Sequence, residues 1–218
     1  MIGSLSFSTI LYLLLALVPS VILHEVSHGL VADLCGDPTA REAGRLTLNP
    51  LKHIDPFGSI VLPAILLAVG LPMFGYAKPV PYNPNRLRHP RNQSLLVGLA
   101  GPFTNFVLVA VAIVASHLAN VQTAEIGGSL YLNTNSWFAK FLIYFGTINL
   151  VLGIFNLLPI PPLDGSSIIA RFVPARKLVR YYELSRYGFI VVFAILMLVN
   201  FGHINLNPFS LFVKLLAL

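Results

Sequence analysis

The first apolar stretch of the chain decides the fold. Residues 6–34 read SFSTILYLLLALVPSVILHEVSHGLVADL, and no Asp, Glu, Lys or Arg precedes Glu25. About 20 consecutive apolar residues are enough to cross a bilayer as a helix. The stretch therefore predicts a membrane-spanning helix that carries His24, Glu25 and His28 in its last third.

The rest of the chain has the same character. Of its 218 residues, 56% are hydrophobic and 10% are charged, whereas soluble domains are about 25% charged. Further stretches without charge are 56–77, 92–124, 141–163 and 187–213. We predict an all-α polytopic membrane protein with about four to six transmembrane helices. It forms a single domain over residues 1–218, with a core at about 6–175 and C-terminal helices at about 184–218. A soluble domain, a disulfide scaffold and a disordered tail are excluded.

The basic residues predict the orientation. Twelve of the fourteen Lys and Arg fall in segments 34–56, 75–93 and 171–186, and cytoplasmic loops collect such residues. The net charge of +6 therefore indicates topology, and we expect no nucleic acid partner. The first two segments share a face only if residues 57–74 do not cross fully. A short re-entrant or β-hairpin element after the first helix satisfies this. Gly44–Asn49 alternates polar and apolar residues and predicts a short strand.

His24 and His28 are spaced to bind one metal ion. Positions i and i+4 lie on one face of a helix, and two such imidazoles reach one Zn²⁺ at about 2.0–2.1 Å. Glu25 is placed to act as the general base. A third ligand must come from elsewhere, and the candidates are Asp33, Asp37, Glu42, Asp55, Asp164, His53, His89 and His117. Asp164 is favoured because it follows the break at 159–162 and falls on the cytoplasmic side with the histidines.

Four stretches together resemble a known family. They are the His-Glu-Val-Ser-His at 24–28, residues 46–58, the Gly-Pro-Phe-Thr-Asn at 101–105, and residues 156–165 with their Leu-Asp-Gly. The chain resembles the intramembrane zinc metalloproteases of the site-2 protease family, in a compact bacterial-type form without a PDZ or nucleotide-sensing domain. The resemblance implies one Zn²⁺ per chain, bound by His24, His28 and Asp164, with Glu25 as catalytic base. It also implies that Asn156 binds substrate.

The implied activity is hydrolysis of peptide bonds within or next to transmembrane segments, as in regulated intramembrane proteolysis. We expect a membrane-spanning protein substrate, a location in the lipid bilayer of the bacterial plasma membrane, and an active site toward the cytoplasm. The oligomeric state is left open. The alternatives are a catalytically inactive protease-like scaffold and a zinc-binding membrane transporter or sensor. A transporter would have no need of Glu25, and the intact Glu25 argues against an inactive scaffold.

Other residues have weaker predicted roles. His53 and Asn105 are candidates to hydrogen-bond a metal ligand, since such outer partners orient metal-binding histidines. Asn105 is equally suited to bond a neighbouring helix. Gly98 and Gly101 predict close approach between helices, because small residues let helix backbones pack tightly in membranes.

Overall fold

The computed structural model describes most of the chain. The described residues are 6–68, 75–121, 123–126, 129–132, 136–188, 190–192, 194 and 208–217. Their α-helices include, in chain order, α1 (Phe7–Leu34), α2 (Thr39–Glu42), α3 (Leu62–Ala68), α4 (Pro90–Leu118), α5 (Trp137–Asn156), α6 (Ser166–Phe172), α7 (Ala175–Glu183) and α8 (Pro208–Leu216). Strands β1 (Thr123–Ile126) and β2 (Ser129–Leu132) form an antiparallel hairpin between α4 and α5.

Three of these helices are long and apolar enough to cross a membrane, namely α1, α4 and α5. Serine hydroxyls cap two of them: Ser6 accepts from the amide of Thr9 in α1, and Ser136 accepts from the amide of Ala139 in α5. The helical membrane architecture predicted from composition is confirmed at this level. A count of four to six spans is not confirmed, and the predicted span at 187–201 lies mostly outside the described residues.

The connection after α1 is built from turns and short helices. Pro50–Lys52 is a 3₁₀ turn, and Pro56–Val61 is a π-helical turn that leads into α3. The strand predicted over residues 44–49 is wrong, because the polar groups of this stretch are used locally. The carbonyl of Thr47 accepts a hydrogen bond from Nε2 of His53 at 2.9 Å. The side chain of Asn49 caps the 3₁₀ turn by accepting from the amide of Leu51. The predicted re-entrant or β-hairpin element over residues 57–74 is not confirmed: residues 57–68 are helical, and residues 69–74 lie outside the described part.

The three basic segments meet at one end of the long helices. Arg88 of segment 75–93 donates its amide to the carbonyl of Cys35, and the Arg86 side chain pairs with Glu42 at 2.6 Å. Arg91 donates to the carbonyls of Arg171 and Val173 at 2.8 and 2.9 Å. The β1–β2 hairpin follows α4 and precedes α5, so it lies at the opposite end.

The apolar core joins α4, α5 and α8. Val109 and Ala112 of α4, Ile143 and Leu150 of α5, and Phe212 of α8 are buried together. This packing depends on Gly146, because a β-carbon there would collide with the ring of Phe212. Helix α8 therefore packs against α4 and α5 as part of this core.

Candidate active site

Helix α1 brings two imidazoles and a carboxylate to one place. His24 and His28 follow one another by one turn, and their Nε2 atoms are 3.1 Å apart. Both are deep in the protein, with side chains 8% and 12% exposed. Glu25 lies on the adjacent face of the same turn. The predicted spacing of the two histidines therefore places both ring nitrogens toward a single point.

Asp164 completes the group from the loop that follows α5. Its Oδ2 atom lies 3.0 Å from His24 Nε2 and 3.3 Å from His28 Nε2. The loop is closed by a hydrogen bond of 2.6 Å from the amide of Gly165 to the carbonyl of Asn156, and it contains a cis peptide bond between Pro161 and Pro162. In the part of the chain that the structure describes, these three side chains are the group suited to hold a metal ion.

The outward nitrogens of the two histidines face hydrogen-bond acceptors. His28 Nδ1 lies 2.6 Å from the carbonyl of Val97, and His24 Nδ1 lies 2.5 Å from Oδ1 of Asn105. An oxygen of this kind only accepts, so each Nδ1 carries a proton. In a neutral imidazole the other nitrogen then has a lone pair. Both Nε2 lone pairs consequently point toward Asp164.

The three ligand atoms fit a metal cation. Asp164 Oδ2 is buried and has no hydrogen bond, although two ring nitrogens face it. A buried polar atom without a partner is costly, and a cation at this point would satisfy all three lone pairs. Gly101 provides the space for this cation, because a β-carbon at this position would lie only 2.5 Å from His24 Nε2. Two imidazoles and a carboxylate are the ligand set that zinc takes in metalloproteases.

Asp164 is in the protonation state that binds metals. Burial alone raises the pKa of its carboxyl, but when the imidazoles of His24 and His28 are protonated, their hydrogen bonds and charges outweigh burial and lower the pKa to about 2. The group is therefore a carboxylate at neutral pH. Its side chain is 22% exposed, more than either histidine, so the centre is reached from the side of Asp164.

Glu25 is held by a backbone amide that the sequence did not indicate. Its Oε2 accepts from the N–H of Val80 at 2.8 Å. Val80 belongs to the 75–82 segment, whose alternate amides at 76, 78 and 80 bond Gly58, His53 and Glu25. Pro79 and Pro81 have fixed φ angles and no N–H. They therefore leave the amide of Val80 as the donor between them. The Pro-Val-Pro sequence is the signal that was available for this contact.

The remaining predicted residues are placed differently. Asn105 contacts His24, a candidate metal ligand, at 2.5 Å. His53 does not: its Nε2 meets Thr47, and its carbonyl receives the amide of Lys78, so it supports the 75–82 segment. Asn156 ends α5, and its side chain donates to the carbonyl of Leu152 at 3.0 Å. Gly98 and Gly101 do permit close approach, with Gly98 against Ser167 and Gly101 against the two histidines.

Fold and site together define a helical membrane protein with a buried His-Glu-x-x-His centre and a distant aspartate. The model of Peptidase family M50 matches residues 12–199. The chain therefore belongs to this family, which comprises the site-2 proteases, and is a zinc metallopeptidase.

Named relatives agree with this assignment. The chain is 38% identical over 197 residues to the "Putative zinc metalloprotease YwhC" of Bacillus subtilis, covering 90% of this chain and 84% of that protein. It is 28% identical over 178 residues to the "Putative zinc metalloprotease Rip2" of Mycolicibacterium smegmatis, covering 82% of this chain and 63% of that protein. No solved structure matches the chain.

Proposed function

We propose that this metallopeptidase cleaves membrane-spanning proteins within or next to their transmembrane segments. One observation carries the proposal: Glu25 and the two candidate histidine ligands, His24 and His28, lie inside a membrane-spanning helix. His24 is ten residues before the end of α1, which corresponds to about 15 Å along the helix axis. Ionisable groups at such depth are costly and mark functional sites. A peptide bond that reaches this centre therefore comes from a segment in the membrane.

We assign the roles of the residues as follows. His24 Nε2, His28 Nε2 and the Asp164 carboxylate hold one Zn²⁺ per chain. When bound, zinc polarises the scissile carbonyl and lowers the pKa of a coordinated water to about 7. Glu25 is fixed through Oε2 by Val80, and its Oε1 takes the proton of the attacking water. The same carboxyl then passes the proton to the leaving amine, as a general base becomes a general acid.

The substrate must arrive in an extended form. In a helix the carbonyl of each peptide bond is tied to an amide four residues on, so the substrate helix must unwind near the centre. Asn156 is the last residue of α5 and lies at the start of the loop that carries Asp164. In our proposal Asn156 binds the substrate backbone there.

The expected orientation has the basic end in the cytoplasm. The contacts among segments 34–56, 75–93 and 171–186 support it, because all three basic segments share one end of the bundle. In this arrangement residues 57–74 re-enter the membrane without crossing it, and the β1–β2 hairpin lies outside. The membrane is the plasma membrane of a bacterium. Cysteines placed at Arg86 and Thr123 should be labelled from opposite sides, and labelling from the same side would contradict the orientation. The native Cys35 is buried, so we expect little background labelling from it.

Activity is tested by co-expression with a single-span membrane reporter. The wild type should cleave the reporter, and Glu25→Gln should not, while both purified proteins contain zinc. Glu183→Gln is the matched control, because it makes the same change at an exposed position in α7. Equal cleavage by wild type and Glu25→Gln would contradict the role of Glu25. Cleavage of only a soluble peptide, with the reporter left intact, would contradict a substrate in the membrane.

A further inference from the structure

Three buried polar side chains lie behind His24, on the side away from Asp164. They are Ser20 of α1, Asn105 of α4 and Asn149 of α5, and all three are 0% exposed. Such residues are expensive in a membrane span unless they are hydrogen-bonded. They come from three different helices and converge at one place. Because none of them is a candidate metal ligand, binding the metal directly does not explain their burial.

The three residues form one continuous chain of hydrogen bonds. The hydroxyl of Ser20 donates to the carbonyl of Ala16 at 2.7 Å. Asn149 Nδ2 donates to Ser20 Oγ and to the carbonyl of Phe145, both at 2.8 Å. Asn105 Nδ2 donates to Asn149 Oδ1 at 2.8 Å. Asn105 Oδ1 then faces His24 Nδ1 at 2.5 Å.

The direction of this chain is set at its far end. The carbonyls of Ala16 and Phe145 are backbone acceptors and cannot donate. They fix the nitrogen side of the Asn149 amide, so its oxygen must face Asn105. Asn105 must therefore present its nitrogen to Asn149 and its oxygen to His24. Neither side-chain amide of this hydrogen-bond chain can flip without losing a buried hydrogen bond. The partner that Asn105 presents to His24 Nδ1 is therefore an acceptor.

We infer that Asn149 and Ser20 are positioning residues that hold His24 in the tautomer with its proton on Nδ1 and its Nε2 lone pair directed at the metal position. This inference rests on the proposed zinc site. His28 needs no such device, because the main-chain carbonyl of Val97 fixes its Nδ1 directly. One ligand is thus oriented by the backbone, and the other by a side-chain relay through three helices.

A purely structural role is the alternative. Polar residues in membrane helices also join neighbouring helices by hydrogen bonds, and Asn149 contacts both α1 and α4. In that case its loss would lower stability but would leave zinc affinity unchanged in protein that is still folded. Outer partners of metal ligands behave differently, because their loss typically weakens metal binding by about 10–100-fold.

The test measures zinc affinity by competition with a chelator, using the full chain in detergent. Asn105→Leu should weaken binding by about 10–100-fold, and Asn149→Leu on the order of tenfold. The double variant should match Asn105→Leu alone, because Asn149 acts through Asn105. Ser20→Ala should have a smaller effect, since Phe145 still anchors Asn149. Ser116→Ala is the control: its hydroxyl is fully buried and has no hydrogen-bond partner among the described residues.

Two outcomes on these variants overturn the inference. One is an Asn149→Leu protein that folds and binds zinc like the wild type. The other is a double variant in which the two losses multiply, since independent contributions behave in this way. A wild type without zinc affinity would instead contradict the proposed metal site, and the inference with it.

The wild type alone gives an independent answer if a variant does not fold. Nitrogen-15 histidine spectra of the metal-free protein, recorded where His24 is neutral, should show a protonated Nδ1 and an unprotonated Nε2. The His24 signals are assigned by their absence in His24→Gln. The opposite tautomer at His24 would overturn the inference whatever the variants do.

Discussion

The histidine side of the centre and the glutamate side are held by different parts of the molecule. Behind His24, side chains from three long helices form a chain of hydrogen bonds in which Ser20, Asn105 and Asn149 are fully buried. Beside Glu25, a single backbone amide from the 75–82 segment makes the contact. Most of that segment is exposed, and only Val80 is buried within it.

The difference separates two tasks of the centre. A metal ligand must keep one orientation, and buried hydrogen-bonded networks in a low-dielectric interior supply that rigidity. A general base must meet a substrate, so its surroundings have to admit one. We therefore expect changes on the histidine side to alter zinc affinity, and changes on the glutamate side to alter turnover with zinc retained.

The largest effect is expected at Asp164, which we propose as the third metal ligand. Asp164→Asn keeps the shape of the side chain and removes its negative charge. Bound zinc should fall from about one per chain to near zero, and reporter cleavage should be lost with it. Metal analysis of the purified variant checks this. Full zinc content in Asp164→Asn would show that the third ligand lies elsewhere.

A smaller effect is expected at Gly101, on the histidine side. The added methyl of Gly101→Ala would enter the space between the two rings and push the Nε2 atoms off their common point. Zinc affinity should drop by about tenfold or more, as for other changes that disturb ligand orientation. A chelator competition assay measures it. An unchanged affinity would mean that the metal does not use this space.

Val80→Pro tests the glutamate side, because it removes the N–H that Glu25 accepts. Hydrogen bonds to charged groups contribute about 1.5–3 kcal/mol, so kcat should fall by about 10–100-fold. Zinc content should stay at the wild-type level. Val80→Ala is the matched control, since it keeps the amide and trims the side chain. If Val80→Pro loses zinc, or if both variants lose equal activity, the two sides are not separate.

The smallest effect is expected far from the centre, at the exposed pair of Glu42 and Arg86. The hydrogen bond and the charge of Arg86 hold the pKa of the Glu42 carboxyl below its ordinary value. The pair therefore contributes its full stability above that ordinary pKa, and the contribution is lost as the pH falls from there through the lowered pKa of the folded state. Arg86→Gln should be slightly less stable than wild type at pH 7 and equal to it in acid, with unchanged zinc binding. Thermal unfolding at both pH values checks the sign.

The sequence predicted the features that depend on residue spacing within a helix and on the distribution of charge along the chain. The spacing of His24 and His28 placed both on one face of α1, and the distribution of basic residues indicated which acid shares their side. The family resemblance and the zinc metallopeptidase activity it implied are confirmed. The common location of the three basic segments also followed from charge, since these loops meet at one end of the bundle.

Other features could not be predicted because they depend on distant partners. The alternation over residues 44–49 predicted a strand, but the Thr47 carbonyl bonds His53, which lies in another turn of the same connection. The contact from Val80 to Glu25 uses the main chain: the flanking prolines mark the amide of Val80 as a donor, but they do not show which acceptor it bonds. Asn149 is an isolated polar residue in an apolar span, and only the packing of α5 against α1 and α4 shows what it bonds.

The central claim is that one zinc ion is bound by His24, His28 and Asp164. Zinc K-edge X-ray absorption on the purified wild-type protein tests it most directly. We predict about one zinc per chain, with two imidazole nitrogens and further oxygen ligands at about 2.0–2.2 Å. A sulfur ligand at about 2.3 Å, which only Cys35 or a methionine of this chain provides, would contradict the claim. So would the absence of zinc.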